Sequence, residues 1–458
     1  MKSMPRHLGQ RLRRQTSARR PEASLRPRRS AGTAQSFNDD RAVLESPPRA
    51  AIGLRESVLL ALALSACGQA APAPLEPDQG PRPSADQLES MRALEAIGYA
   101  GASIEAEAGA PHGVTVYDRA RACDGLNLLV SGHAPEAYLY DMTGELLHTW
   151  RMPFEAAYPG RFSESRSFPG AWRRVRVEPN GDLFAIFEGV GLIKIDKNSE
   201  LLWAYGGRAH HDLDIGPDGR IYVLTRKAIL LPRWMAKEPI LEDFITLLDA
   251  GGRELASVSL LECAKSSAYP EIFEKVYKGG DVFHTNALQL LDGRHAGMLE
   301  AFAAGDLLIS IREENRLAVV DLEARRISWT LVGSWRSQHE PNLLEGGTIL
   351  LFDNQWHDGR SRVLELDPLS GAELWSYQEE QPGRFFSASC GSCQRLSNGN
   401  TLISESAAGR AFEVTPAGEI VWEFHNPFRG GEDGALIAWV MEMIRLPADF
   451  GVDWIDRR

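Results

Sequence analysis

A chain of 458 residues with 43% hydrophobic and 24% charged side chains can bury a large core, which excludes a disordered or fibrous class. Its formal net charge of −12 excludes nucleic acid as a partner, because displacing counterions from phosphates takes a basic face.

Residues 1–56 depart from this balance. They carry Arg11-Leu12-Arg13-Arg14 and Arg26-Pro27-Arg28-Arg29 with few large apolar residues, and are expected to form a disordered basic tail. Residues 57–67 are a short apolar run from Ser57 to Cys67, too short to span a bilayer as a helix. The run resembles the end of a bacterial lipoprotein signal, in which Leu64-Ser65-Ala66-Cys67 matches the lipobox. The resemblance implies lipidation at Cys67 and an exported protein of the periplasm or cell envelope, touching the membrane only through that anchor. An ordinary buried helix ending in a cysteine is the alternative. Such a signal starts near the initiating residue, so translation is expected to begin downstream of Met1, near Leu54. Residues 68–112 read as a Pro/Ala-rich tether from Ala70 to Pro83, followed by a short helix with helical apolar spacing from Gln87 to Ile97.

From residue 113 to 447 one strand-rich unit recurs. A complete copy runs from Val175 through Asn180-Gly181 to Ile186, then from Gly191 to Asp196 and on to Trp203. The order is strand, Asn/Asp-Gly turn, strand, strand ending in Asp, polar turn, strand ending in Trp. Asn-Gly and Asp-Gly supply the positive φ of tight hairpins, so each copy is an antiparallel meander. Further copies pass through Asp218-Gly219, Trp329, Trp375, and Asn398-Gly399 with Trp422. Near the front, Asn127 to Trp150 lacks a first strand, and Trp439 to Leu446 is placed to supply it. The expected fold is therefore all-β, a six-bladed β-propeller closed by a C-terminal strand, with a short N-terminal helix before it and a tail at 448–458. An open solenoid is the alternative.

Chemistry must come from residues that break the repeat. Four of the chain's 11 histidines stand just ahead of first strands in three successive blades: His210-His211-Asp212, Phe283-His284-Thr285-Asn286 and Ser337-Gln338-His339-Glu340. Between the last two lies Ser310-Ile311-Arg312. A metal is disfavoured because Arg312 is permanently cationic and no HxH or HExxH spacing puts two imidazoles on one face, whereas an oxyanion needs fixed charge and N–H donors. Aside from Cys67, the even set Cys123, Cys263, Cys390 and Cys393 is able to pair in an oxidising compartment. The Cys390-Gly391-Ser392-Cys393 spacing starts a strand and lacks the helix that activates a redox thiol, so a structural role is expected.

These blade openings, with Leu350-Leu351-Phe352-Asp353-Asn354 and the stretch from Gln394 to Ile403, resemble the PAPS-independent arylsulfate sulfotransferases, the ASST family, over roughly Gly113 to Leu446. The resemblance implies transfer of a sulfuryl group from a small-molecule aryl sulfate to a phenolic acceptor through a sulfohistidine, without a cofactor. It implies His339 as nucleophile, His284, Asn286 and Arg312 around the sulfuryl oxygens, and one of His210 and His211 as acid and base, with His211 favoured. Glu313 and Glu314 follow Arg312. On a continuing strand Glu313 would point away from Arg312, leaving Glu314 as the possible partner. A non-catalytic propeller binding sulfated or phenolic ligands, or a protein, is the alternative function. A quinone dehydrogenase is disfavoured by the lack of a vicinal cysteine pair.

Overall fold

Six four-stranded antiparallel meanders succeed one another along the chain. A computed structural model describes residues 87–91, 104–105, 111–161, 170–231, 238–273, 279–357, 359–430 and 436–455. The basic tail, the apolar run and Cys67 lie outside the described residues, and residues 87–91 are helical.

Blade 1 takes its first strand, Val440–Leu446, from the far end of the chain and pairs it with Leu126–Ser131, Glu136–Tyr140 and Leu146–Arg151. Blade 2 runs through Arg174–Val177, Leu183–Phe187, Gly191–Ile195 and Leu201–Tyr205. Blade 3 is Ala209–Ile215, Ile221–Ile229, Ile240–Leu248 and Glu254–Ser259, and blade 4 is Thr285–Leu290, Leu307–Ile311, Arg316–Asp321 and Arg326–Val332. Blade 5 is His339–Leu343, Ile349–His357, Arg360–Leu366 and Glu373–Gln378. Blade 6 is Ser392–Arg395, Thr401–Glu405, Arg410–Val414 and Ile420–His425, with Gly113–Tyr117 added as a fifth, outer strand.

Strand alternation explains why the meanders stack into a ring. Leu183, Ala185 and Phe187 pack with blade 1, while Phe184 and Ile186 pack with blade 3. Both faces of this second strand are therefore buried, and its sequence is apolar throughout. The six hydrophobic clusters among the described residues each fill one gap between neighbouring blades, including the gap between blades 6 and 1. At about 1.5–3 kcal/mol per buried large aliphatic side chain, these gaps carry the hydrophobic drive to close.

Four of the recurring tryptophans lock a blade to the next. Trp150, Trp203, Trp375 and Trp422, each on the fourth strand of its meander, donate their indole N–H to the carbonyls of Gly181, Ala250, Pro416 and Met142 in turns of the following blade, at 2.9, 3.1, 2.9 and 3.0 Å. Near the axis, side chains do the same work. Gln289 accepts from the backbone N–H of Leu343 at 2.7 Å, and Gln394 accepts from that of Arg445 at 2.8 Å. The first strands of adjacent blades are in contact, so they form the innermost layer, and the segments entering them surround the axis.

The cysteines differ from expectation. Cys123, Cys263, Cys390 and Cys393 are all buried free thiols, because four separate inter-blade packings hold them, one each. Burial pushes the thiols of Cys263, to about 12, and Cys393 further from thiolate character.

Candidate active site

The blades that carry the histidines are irregular where the histidines stand. Pairing of the first strand with the second slips between Ala209 and Leu213, between Thr285 and Ala287, and between His339 and Asn342. His211, His284, Ser337 and Glu340 hold φ of 50°, 48°, 53° and 52°. A left-handed non-glycine residue costs about 1–3 kcal/mol and persists where surrounding structure enforces it, and a bulge re-aims side chains. Here the bulges turn imidazoles out of strand alternation and towards one another. The rings of His211 and His284 lie 5.1 Å apart between centroids, and those of His210 and His211 lie 5.2 Å apart.

His339 is 3% exposed. Its Nδ1 lies 2.7 Å from Asn354 Oδ1 and 2.9 Å from the carbonyl oxygen of Ser337. The Asn354 amide is oriented by its own nitrogen, which donates to the carbonyls of Ser387 at 2.8 Å and Cys390 at 2.5 Å. Both neighbours of Nδ1 are acceptors, so Nδ1 carries the proton and the Nε2 lone pair is left open. Burial pushes this imidazole well below its usual pKa; Arg173 and Arg312 push the same way, against the Asn354 hydrogen bond. The ring is neutral at pH 7.

His211 is likewise held well below the usual value, chiefly by burial, then by Arg173 and the surrounding histidines including His339. Its Nδ1 is 2.9 Å from His210 Nδ1, and its backbone N–H donates to Glu188 Oε2 at 3.0 Å. His210 Nε2 faces Asp243 Oδ1 at 3.5 Å, and burial, with Asp281 beside it, raises Asp243 to about 8. His284 Nδ1 contacts Asp281 Oδ2 at 2.6 Å. Asn286 donates from Nδ2 to the carbonyl of Gln338 at 2.8 Å, bracing the turn into His339.

Arg312 differs from expectation. The strand ends at Ile311, and Arg312–Glu314 form a 3-10 turn, which brings the Glu313 carboxylate onto the Arg312 guanidinium. The alternation argument that turned Glu313 away applied to a strand that is not there.

Sequence reasoning passed over Arg173, Glu188 and a buried ionic network, and it named Asn354 in the family stretch without giving it a role. Arg174 meets Asp212 at 3.2 Å, Glu340 at 2.5 Å and Glu442; Arg176 meets Asp212 at 3.2 Å and Glu442 at 3.1 Å. Asp212 and Glu340 directly follow His211 and His339 in the chain, so the network forms a floor beneath the histidines, drawn from blades 1, 2, 3 and 5. Towards the far ends of the inner strands lies a cavity of about 260 Å³ lined in part by Arg176, Glu340, Asn342 and Glu442. The signal that would have found Arg173 is its position: it stands immediately ahead of the first strand of blade 2, as His284 does in blade 4.

Glu188, His210 and His211 place ligand atoms within 4.8 Å of one another, a set with the donors for a cation. The Arg226 guanidinium lies 3.8 Å from Glu188 Oε1 and pushes His210 further towards neutrality, so the positive charge a cation would bring is already present.

Residues 177–427, more than half of the chain, match the arylsulfotransferase (ASST) family. The chain belongs to this family. The matched interval holds His210, His211, His284, Asn286, Arg312 and His339, while Arg173 lies just before it. Among solved structures, this arylsulfotransferase-family chain is similar to a protein of unknown function from Bacteroides caccae, at 12% identity and TM-score 0.45 over 66% of this chain and 94% of that one. It is similar to a streptogramin B lyase at 12% identity and TM-score 0.41, covering 76% and 98%. It is also similar to the Cps50 (Swd1) propeller domain of Myceliophteria thermophila at 16% and 0.43, covering 72% and 99%. No curated protein matches the chain.

Proposed function

We propose that the protein is an aryl sulfotransferase that moves a sulfuryl group from an aryl sulfate to a phenol through a sulfated His339, without PAPS. The observation that carries this reading is the tethered imidazole: Nδ1 is fixed on Asn354 and Ser337, and Nε2 is open on a ring that burial keeps neutral. In the first half-reaction the Nε2 lone pair forms a bond to sulfur, and the sulfur–oxygen bond to the aryl group breaks. Its electron pair leaves on the phenolate oxygen, which takes a proton from His211. The sulfated ring has imidazolium character, and the two acceptors on Nδ1–H stabilise it. In the second half the acceptor phenol gives its proton to His211, its oxygen attacks sulfur, and the nitrogen–sulfur pair returns to Nε2. His211, held neutral chiefly by burial, takes up a proton from solvent as the anionic donor binds. His284 and Arg312 border the sulfuryl group, and Asn286 positions the backbone ahead of His339. Splitting the transfer into two displacements replaces one hard step with two easier ones.

The test is transfer from 4-nitrophenyl sulfate to phenol by the purified protein with no PAPS. Turnover by the native protein, and a loss of at least about 10³-fold in His339→Asn, is expected. Full activity in that variant would sink the mechanism, and donor binding without turnover across a broad panel would make the propeller a binding module.

A further inference from the structure

Among the described residues, every buried arginine of this propeller other than Arg173, namely Arg174, Arg226, Arg316, Arg362 and Arg445, faces a carboxylate. Arg174 and Arg176 are consumed by Asp212, Glu340 and Glu442. Arg226 faces Glu188, and Arg312 is neutralised by Glu313 with its side chain 22% exposed. Arg173 is different. It is 2% exposed, no carboxylate pairs with it among the described residues, and its Nε has no hydrogen-bond partner there. A buried arginine without a counterion is expensive to fold around, and an arriving anion removes that cost.

Its place in the repeat shows what that anion meets. Arg173 sits at a bend ahead of the first strand of blade 2, with its backbone N–H on the carbonyl of Ile186 at 2.9 Å. The bend takes it out of the alternation that sends Arg174 into the ionic floor. The next residue, Arg174, reaches the carbonyl of His211 at 3.3 Å, which ties this opening to the histidine-bearing opening of blade 3.

We propose that Arg173 is the cation that binds the sulfuryl oxygens of a sulfate monoester, with Arg312 secondary to it; the proposal rests on the sulfuryl-transfer reading above. Its guanidinium presents a planar fork of N–H donors that matches two oxygens of one sulfuryl group, as a lysine ammonium does not. The field of Arg173 also falls on both His339 and His211.

The experiment measures calorimetric binding of 4-nitrophenyl sulfate to His339→Asn protein, in which the donor is not consumed. Adding Arg173→Gln should weaken binding by about 10- to 100-fold, and by more than adding Arg312→Gln does. In the otherwise native enzyme, Arg173→Ala should lose activity that millimolar guanidinium partly restores, a rescue that a merely structural arginine would not show. Binding within threefold in a folded Arg173→Gln protein overturns the proposal. Should that variant fail to fold, Arg173→Lys decides: affinity equal to the parent overturns the proposal, and about tenfold weaker binding supports it. A native protein that turns over aryl sulfates while Arg173 variants are unaffected contradicts this inference alone. A native protein that neither binds nor turns over the donor contradicts it together with the function it rests on.

Discussion

A histidine becomes a nucleophile by losing choices. Two acceptors fix the proton of His339 on Nδ1, and burial with nearby arginines disfavours a second proton on Nε2. The sign of this shift gives a pH prediction. The reactive form is the deprotonated one, and its pKa lies well below the ordinary value of about 6.5. The kcat/KM for 4-nitrophenyl sulfate, whose leaving group is stable as an anion, should therefore stay level as pH falls from about 8 to about 6.5 and decline only below that. An acid limb centred at or above about 6.5 would show that His339 is not depressed or not the reacting group. At this scale the residue types were legible in the sequence, because four histidines at equivalent places in a repeat are hard to mistake. Their partners were not: Asn354 lies one strand away from His339, and its amide orientation is decided by carbonyls of the segment around Ser387 and Cys390.

Strand openings assemble the site, and the elements do so by breaking their own regularity. The bulges that turn His211 and His339 towards the site also send the next residues, Asp212 and Glu340, into contact with Arg174. Two arginines face three carboxylates there, and burial raises Glu340 to about 7, opposed by Arg174 and reinforced by Asp212 and Glu442. Below that pH Glu340 holds a proton and the network is balanced in charge. Arg174→Met, which leaves Arg176 alone to face the carboxylates of Asp212, Glu340 and Glu442, should lower the unfolding free energy by about 3–5 kcal/mol. Glu340→Gln at pH 6, which keeps the neutral form, should cost less than about 1 kcal/mol. Denaturant titration of both variants checks this, and an equal loss in the two would mean that Glu340 is charged in the fold. A single strand of sequence does not say that openings from blades 1, 2, 3 and 5 meet at the axis, so this network was invisible before the strands were placed. The Arg312–Glu313 pair escaped for a related reason, since nothing in Ile311-Arg312-Glu313 announces that the strand stops there.

At the scale of the whole molecule the ring was the most readable feature. Asn-Gly and Asp-Gly turns, Asp-ended third strands and closing tryptophans repeat because every blade solves the same packing problem on two faces. The missing first strand of blade 1 and the surplus strand at Val440–Leu446 are complementary, and the structure pairs them. The fifth strand of blade 6, Gly113–Tyr117, went unread because it is short and its partner Ile420–His425 lies at the other end of the chain. Ring closure matters to chemistry because it brings Arg173, His211, His284 and His339, each modest alone, to one enclosed axis. The measurement that tests this account most directly is rapid alkaline quenching of the native protein with aryl sulfate in the absence of acceptor, followed by peptide mass spectrometry. The account predicts one sulfuryl group per chain, on the peptide containing His339, released when phenol is added before the quench. Turnover without any sulfated peptide, or a sulfuryl group found on another residue, would contradict it.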